Sequence, residues 1–244
     1  MKTYRDRVAK AKNILVVGGG AVGIEIAGEI ADSYPKASGK KVTLIHSQAK
    51  LMNDVYNDKF RDGLAKQLLA MGVNLHLGDK LEGQHDFEAG VQTVTTKAGN
   101  TLTDVDLIIQ ATGGRVNSQV LEGFLDPSQI SNGGVKVKPT FQVEGHDNVF
   151  VIGDLADLPE QKQAAKVAGH VSVANANIVA SINKTALRNY KAPGEMIVVN
   201  IAEKGGMGLI TLPIFGQTVM GAWFASSVKG KDLFITKTRQ ILGY

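Results

Sequence analysis

The chain has 244 residues, of which 43% are hydrophobic and 20% are charged, with a formal net charge of +4. This composition is ordinary for a globular protein with one large or two small domains, and the mild basic balance gives no reason to expect a specific nucleic-acid partner. The sequence contains no cysteine. A disulfide scaffold, a cysteine-rich metal site and a dithiol relay are therefore excluded.

The first residues and one uncharged segment bear on targeting and on a membrane contact. The first residues contain no apolar signal region and no Met-Gly start, so neither secretion nor myristoylation is indicated. Residues 205–228 are uncharged and long enough to span a bilayer, but five glycines, Pro213 and Gln217 favour strands with a turn over a membrane helix. We expect a cytoplasmic protein and leave open a peripheral contact with a membrane.

A glycine-rich loop follows the first apolar run of the chain. Residues 14–17 predict a short buried strand, and residues 21–32 have the spacing of a helix. Between them the motif G-x-G-x-x-G is formed by Gly18, Gly20 and Gly23, with Gly19 inside it. This order predicts that the pyrophosphate of a dinucleotide binds at the N-terminus of the helix. An ordinary glycine-rich turn between a strand and a helix is the alternative.

The following elements complete a nucleotide-binding domain. We predict a strand at 41–46, a helix at 56–71 ended by Gly72, a strand at 73–77, a hairpin from 90–96 and 101–103, and a strand at 106–110. The predicted fold is therefore α/β, with a Rossmann-type three-layer NAD(P)-binding domain at residues 11–114.

The remaining residues predict a less regular architecture. We expect a partial second nucleotide-binding unit at 115–187 and a mixed α+β C-terminal region at 188–244. The first has predicted strands at 135–143 and 148–152 and a helix at 161–186. The second has predicted strands at 196–201, 208–212, 218–224 and 232–236.

Three motifs follow one another in a specific order. They are Val-Gly-Gly-Gly-Ala-Val-Gly-Ile-Glu at 17–25, Ile-Ile-Gln-Ala-Thr-Gly-Gly at 108–114 and Asn-Val-Phe-Val-Ile-Gly-Asp-Leu-Ala-Asp at 148–157. The series resembles the two-dinucleotide-binding flavoproteins, which include type II NADH dehydrogenases and apoptosis-inducing factor. Segments 42–48, 143–149, 173–179 and 231–234 resemble the apoptosis-inducing-factor-like branch that contains the ferroptosis suppressor proteins.

The resemblance implies an enzyme, an NAD(P)H-linked oxidoreductase of the FAD-dependent quinone-reductase type. In such proteins NAD(P)H reduces FAD, and the flavin reduces a quinone or another small acceptor. The resemblance also implies a set of cofactor-binding residues: Gly18, Gly20 and Gly23 for the NAD(P)H pyrophosphate, Glu25 facing the nicotinamide, Thr112 and Gly113 where the two cofactors approach, and Asp154 for the ribitol and pyrophosphate of FAD. No catalytic acid or base is singled out, because hydride transfer through a flavin does not demand one.

Several of these residues have a plainer alternative. Glu25 could be a carboxylate stabilised by the helix dipole, Thr112-Gly113 a strand-to-loop turn, and Asp154 a cap. His46 stands where NAD-specific folds often place an acidic residue on the ribose 2′-hydroxyl, so NADPH is not excluded, and an exposed histidine is the alternative. The other histidines show no spacing typical of metal ligands, and we predict no metal site.

One departure from the resemblance affects the flavin. The resemblance implies an earlier G-x-G-x-x-G for the ADP half of FAD, but the sequence carries a single such motif close to Met1. We therefore expect a truncated FAD site with flavin binding in question. Two alternatives stay open: a non-catalytic NAD(P)H-binding interaction or regulatory module, and a flavin-independent enzyme recruited to another reaction. Self-association or a complementary chain would cover the strand edge left unpaired.

Overall fold

The structure is a computed structural model that describes residues 2–83, 85–87, 90–121, 123–131, 133–230 and 235–243. Contacts divide the chain into two compact units, one made of residues 1–113 with 196–244 and the other of residues 114–195. The C-terminal strands therefore share a unit with the glycine-loop domain, although the sequence suggested a separate region at 188–244. The division into three domains stays a prediction.

A parallel sheet forms the centre of the first unit. Its N-terminal part contains the strands β1 (Asn13–Val17), β2 (Lys41–His46), β3 (Asn74–Leu77), β4 (Gln92–Thr95), β5 (Thr101–Val105) and β6 (Leu107–Gln110), and the helices α1 (Lys2–Lys10), α2 (Ala21–Ser33) and α3 (Asp58–Met71). Four strands pair in the order β3-β2-β1-β6, all parallel, and β4 and β5 form an antiparallel hairpin. The predicted order of strands and helices is confirmed, while α1 was not predicted.

The central sheet is covered on both faces, which explains its apolar strands. Alternate side chains of β1 point to opposite faces, so Val16 packs in the core with α2 and α3 while Leu15 packs with the hairpin residues Val94 and Val105. The three-layer α/β fold is confirmed. A β-hairpin takes the third layer in place of a helix.

Local chemistry sets the bounds of α3. The side chain of Asn57 accepts the backbone N–H of Phe60 at 3.0 Å and caps the helix, which therefore begins two residues later than predicted. Gly72 ends it with φ +90°, a left-handed conformation that favours glycine. Phe60 is fully buried between these two caps, on the face that covers the sheet.

The second unit, residues 114–195, contains the strands β7 (Ile130–Ser131), β8 (Gly134–Lys136) and β9 (Ala156–Asp157) and the helix α4 (Ala164–Ile182). The predicted strands at 135–143 and 148–152 are largely wrong: past Lys136 the structure shows only isolated bridges. The chain turns at Phe141, which has φ +67° and donates its N–H to the Lys138 carbonyl at 2.8 Å. This turn buries Phe141 and prevents a continuous strand.

The C-terminal part returns to the first unit. It contains β10 (Met196–Ile201), β11 (Gly205–Leu212), β12 (Gly216–Met220), α5 (Ala222–Ala225) and α6 (Ile235–Leu242), and β10-β11-β12 form an antiparallel sheet. Val199, Ile201 and Leu209 complete the core beneath α2 and α3. No described helix is both long and apolar enough to cross a membrane.

Two predictions for this C-terminal part need correction. The predicted strand at 218–224 ends at Met220 because the chain continues into α5. The predicted strand at 232–236 is wrong at its end, where Ile235 begins α6, and residues 231–234 lie outside the described ranges. The uncharged segment 205–228 begins with two strands and a turn, as predicted.

Candidate functional site

Two glycines of the motif are required by the protein's own packing. Gly18 has φ +116°, and a Cβ on it would collide with the carbonyl oxygen of Ala111. A Cβ on Gly23 would collide with the carbonyl oxygen of Gly18. The first and third glycines therefore permit the tight turn after β1 and the close approach of α2 to it.

The middle glycine has a different environment. Gly20 is the N-cap of α2, with φ −77° and ψ −179°, and apart from its own chain neighbours no described protein atom lies within 4 Å of where its Cβ would be. The first-turn N–H groups of α2 have no intrahelical acceptor, and the helix dipole makes this end positive. Open space at Gly20 beside two crowded glycines is the arrangement that a phosphate group against this helix end requires.

His46 supports the glycine loop from the end of β2. Its Nδ1 accepts the Gly19 N–H at 3.1 Å, and its Nε2 lies 3.5 Å from the Met52 carbonyl oxygen. Burial lowers the pKa of His46; the hydrogen bond to Met52 opposes this shift, and the nearby charge of Arg61 adds to it. A neutral ring with its proton on Nε2 satisfies both contacts. The N–H of Gly19 is thus already hydrogen-bonded within the protein.

Glu25 lies on the flank of α2 and joins it to the C-terminal sheet. Its Oε1 accepts the backbone N–H of Asn200, on β10, at 3.2 Å. Asn200 is 2% exposed, and neither its amide nitrogen nor its amide oxygen has a hydrogen-bond partner among the described residues. Sequence reasoning missed Asn200, because its apolar neighbours predicted only a strand. That Glu25 faces a nicotinamide stays a prediction.

Thr112 and Gly113 follow the carboxyl end of β6. The hydroxyl of Thr112 accepts a hydrogen bond from the Gln110 side chain at 3.3 Å, and Gly113 has φ +81° with open space around it. Because β6 pairs in parallel with β1, these residues reach the same sheet edge as the glycine loop. Ligands of open α/β sheets bind at this edge.

Asp154 belongs to the second unit, whereas the residues of the sheet edge belong to the first. It lies in a short 3-10 turn, Gly153–Leu155, with its side chain exposed. The N–H of Gly153 donates to Nδ1 of His170 at 3.1 Å. His170, which is 3% exposed, therefore fixes the backbone that carries the Asp154 carboxylate.

A buried polar network surrounds His170. Its Nε2 lies 2.7 Å from Oε1 of Glu160, and the hydroxyl of Tyr190 donates to Oε2 of Glu160 at 3.0 Å. Lys166 pairs with Glu195 at 2.7 Å. Burial, reinforced by the bond to Glu160, raises the pKa of Tyr190 to about 12. Charges this deeply buried are stable only when they are paired and hydrogen-bonded.

Sequence reasoning missed this network. The available signal was the pair Lys166 and His170, four residues apart in an Ala- and Val-rich helix, which lies on one helix face. No described group of three or more His, Asp or Glu side chains could hold a metal ion.

Comparison with known proteins places the chain among nucleotide-dependent oxidoreductases. Residues 2–169 match the family described as pyridine nucleotide-disulphide oxidoreductase. The chain is 39% identical over 240 residues to the FAD-dependent oxidoreductase FVFD30 of Flammulina velutipes and 31% identical over 244 residues to ferroptosis suppressor protein 1 of Homo sapiens. These alignments cover 98% and 97% of the chain but 72% and 63% of the two relatives, so the chain spans about two thirds of their length.

A third relative and a solved structure agree with these matches. Apoptosis-inducing factor homolog B of Dictyostelium discoideum is 29% identical, with 97% of the chain and 64% of the relative aligned. The water-forming NADH oxidase from Lactobacillus brevis superposes with a TM-score of 0.64 at 23% identity, over 86% of this chain and 45% of the oxidase, and shares the fold. The chain belongs to the pyridine nucleotide-disulphide oxidoreductase family, in its apoptosis-inducing-factor-like branch.

Proposed function

We propose that the chain binds NAD(P)H at the glycine loop and forms part of an FAD-dependent oxidoreductase that reduces a small acceptor such as a quinone. The observation that carries the nucleotide site is the open space at Gly20, at the N-terminus of α2. The FAD-dependent oxidoreductase named among the relatives supports the flavin part of the proposal.

The residues of the sheet edge would divide the binding of NAD(P)H among them. Gly20 and the first-turn N–H groups of α2 would hold the pyrophosphate, with Gly18 and Gly23 shaping the turn. Gly113 leaves space beyond β6, on the opposite side of β1 from His46. The nicotinamide would extend over β6 and the adenosine over β2, in the manner of other Rossmann folds.

The second unit offers groups that fit part of an FAD site. The exposed carboxylate of Asp154 can accept hydrogen bonds from the ribitol hydroxyls, and the bond from Gly153 to His170 holds that turn in place. When bound, FAD would accept a hydride and pass electrons on, chemistry that no side chain here supplies. The described residues would bind and orient the cofactor.

A valine in place of Gly20 tests the nucleotide site. Gly20→Val adds a branched side chain to the open space, so we expect NAD(P)H affinity to fall by a factor of about 100 or more while the melting temperature changes little. Isothermal titration calorimetry with NADH and NADPH measures the first, and calorimetric melting the second.

Gly221 provides the matched control, since it caps α5 with a similar backbone conformation, φ −82° and ψ −169°, and also has open space around it. Gly221→Val should leave nucleotide affinity unchanged. A Gly20→Val variant that binds as well as the parent chain would disprove the glycine-loop site.

An absorbance spectrum tests the flavin part. Flavin bands that appear on adding FAD and bleach with NAD(P)H would support electron transfer from the nucleotide to the flavin. A chain that binds NAD(P)H but takes up no FAD, alone or with a complementary chain, would contradict that part. An assay for NAD(P)H oxidation would then separate the two alternatives. A nucleotide-binding module would show no turnover, whereas a flavin-independent enzyme would show turnover without FAD.

A further inference from the structure

A surface depression of about 320 Å³ lies beyond the carboxyl ends of β2 and β3. Its lining residues are Ser47, Gly78, Asp79, Lys80, Lys97 and Ala98. Ser47 directly follows β2 and Gly78 directly follows β3, and the two strands are neighbours in the parallel sheet. In Rossmann folds the adenosine ribose lies at the end of the second strand, so the depression is where its 2′ position would point.

Backbone hydrogen bonds fix this part of the sheet edge. The N–H of Asp79 donates to the His46 carbonyl at 3.1 Å and ties the end of β3 to the end of β2. The N–H of Lys97 donates to the Lys80 carbonyl at 2.8 Å. The backbones of the two lysines are therefore held next to each other, and both residues line the depression.

Asp79 is the one carboxylate among the lining residues, and it is turned inward. It is 7% exposed and accepts the backbone N–H groups of Lys80 at 2.8 Å and Ala98 at 3.1 Å, together with the Asn100 amide at 3.2 Å. The Thr96 hydroxyl and these donors lower the pKa of Asp79 to about 2. Its negative charge is thus stabilised by hydrogen bonds from the protein itself.

The positive charges of Lys80 and Lys97, in contrast, are not paired with a described carboxylate. Lys80 and Lys97 are exposed, and neither forms an ion pair with any described residue. Lys50, also near the end of β2 in sequence, pairs with Asp58 at 3.0 Å and Asp62 at 2.9 Å. Two ammonium groups against one inward carboxylate leave the depression with a net positive charge.

We propose that this depression is a phosphate subsite through which the chain prefers NADPH to NADH. The proposal rests on the proposed binding of NAD(P)H at the glycine loop. The two nucleotides differ by the 2′-phosphate alone, which would lie between Lys80 and Lys97 and accept a hydrogen bond from the Ser47 hydroxyl. His46 brings no negative charge to this edge, and its ring already bonds Gly19 and Met52.

Calorimetric titration of the chain with both nucleotides tests the preference. We expect NADPH to bind about tenfold more tightly than NADH at 50 mM salt, and the difference to shrink at 300 mM because the lysines are exposed to screening. In the double variant Lys80→Ala, Lys97→Ala the two affinities should become equal through the loss of NADPH affinity alone.

Matched variants separate a local effect from a general loss of charge. The double variant Lys59→Ala, Lys66→Ala removes two exposed lysines from α3 and should keep the tenfold preference. Ser47→Asp should weaken NADPH binding through charge repulsion and should not weaken NADH binding. Equal affinities in the parent chain, or a preference that survives the loss of Lys80 and Lys97, would overturn the subsite alone. Binding of neither nucleotide would overturn the proposed function, and the subsite with it.

Discussion

At the scale of single residues, the protonation state of His46 couples the glycine loop to pH. Its Nδ1 must be unprotonated to accept the Gly19 N–H, and burial lowers its pKa. As the pH falls through the ordinary histidine pKa near 6.5, the unfolded chain takes up a proton that the folded chain resists. The free energy of unfolding should therefore decrease as the pH falls from about 7.5 to 5.5.

His46→Asn checks this expectation, because asparagine offers an acceptor near the Nδ1 position but does not titrate in this range. Melting temperatures measured at pH 7.5 and 5.5 should fall less for the variant than for the parent chain. An identical fall in both would show that His46 does not contribute. The sequence marked His46 as a nucleotide contact; its bond to Gly19 depends on how a loop 27 residues away folds, and no local pattern reports that.

The glycine motif could be identified from the sequence, but the separate roles of its glycines could not. Gly18 and Gly23 are crowded by carbonyl oxygens, and Gly20 is not. A spacing of G-x-G-x-x-G predicts the turn, the approach to a phosphate and the helix packing together. Which glycine faces the protein and which faces open space follows only from the distances in the folded chain.

At the scale of elements, α4 combines a strong helical pattern with buried polar groups. Asn177 is fully buried and makes three hydrogen bonds: its amide donates to the carbonyls of Thr140 at 3.0 Å and Arg188 at 2.8 Å, and its oxygen accepts the Arg188 N–H at 2.7 Å. These bonds hold the segments before and after α4 against the helix. Segment 173–179, which carried part of the family resemblance, thus has a structural role.

Asn177→Leu should destabilise the second unit by about 3 kcal/mol, because three hydrogen bonds made by a fully buried side chain to the backbone of Thr140 and Arg188 would be lost. Urea unfolding followed by hydrogen exchange at residues 114–195 measures the loss. Asn175→Leu, on the exposed side of the same helix, is the control and should change stability by less than about 0.5 kcal/mol. Equal effects of the two substitutions would contradict this role of Asn177.

Elements with a clean hydrophobic pattern were predictable. The strands at 41–46 and 196–201 match to the residue, since each is rich in β-branched and other apolar residues. The segment 135–152 was not predictable in the same way. Its apolar residues are buried by turns, at Phe141 for example, and a turn with an apolar residue at positive φ leaves no signal in the sequence.

At the scale of the whole molecule, the first unit is discontinuous in sequence. Val199, Ile201 and Leu209 are at most 1% exposed and belong to the same core as the glycine-loop domain. A chain ending at residue 195 should therefore lose nucleotide binding and cooperative melting of this unit, because the face of α2 and α3 under β10 and β11 would be exposed.

A chain ending at residue 230 is the control, since it keeps β10, β11 and β12 and removes α6, whose described side chains are exposed. Calorimetric melting of both truncated chains, with and without NADPH, measures the difference. A chain ending at 195 that melts like the parent would show that the domain near residues 11–114 is self-sufficient.

Because the first unit is discontinuous in sequence, the ribosome makes its two segments at different times. Residues 1–113 emerge first, residues 114–195 follow, and the strands that complete the first core come last. At about 5 to 20 residues per second, the synthesis of residues 114–195 takes roughly 4 to 16 s. During that interval the nascent helices α2 and α3 present an uncovered apolar face, a surface that chaperones recognise, while the intervening unit can already close on its own contacts. The segment made second is thus free to fold first.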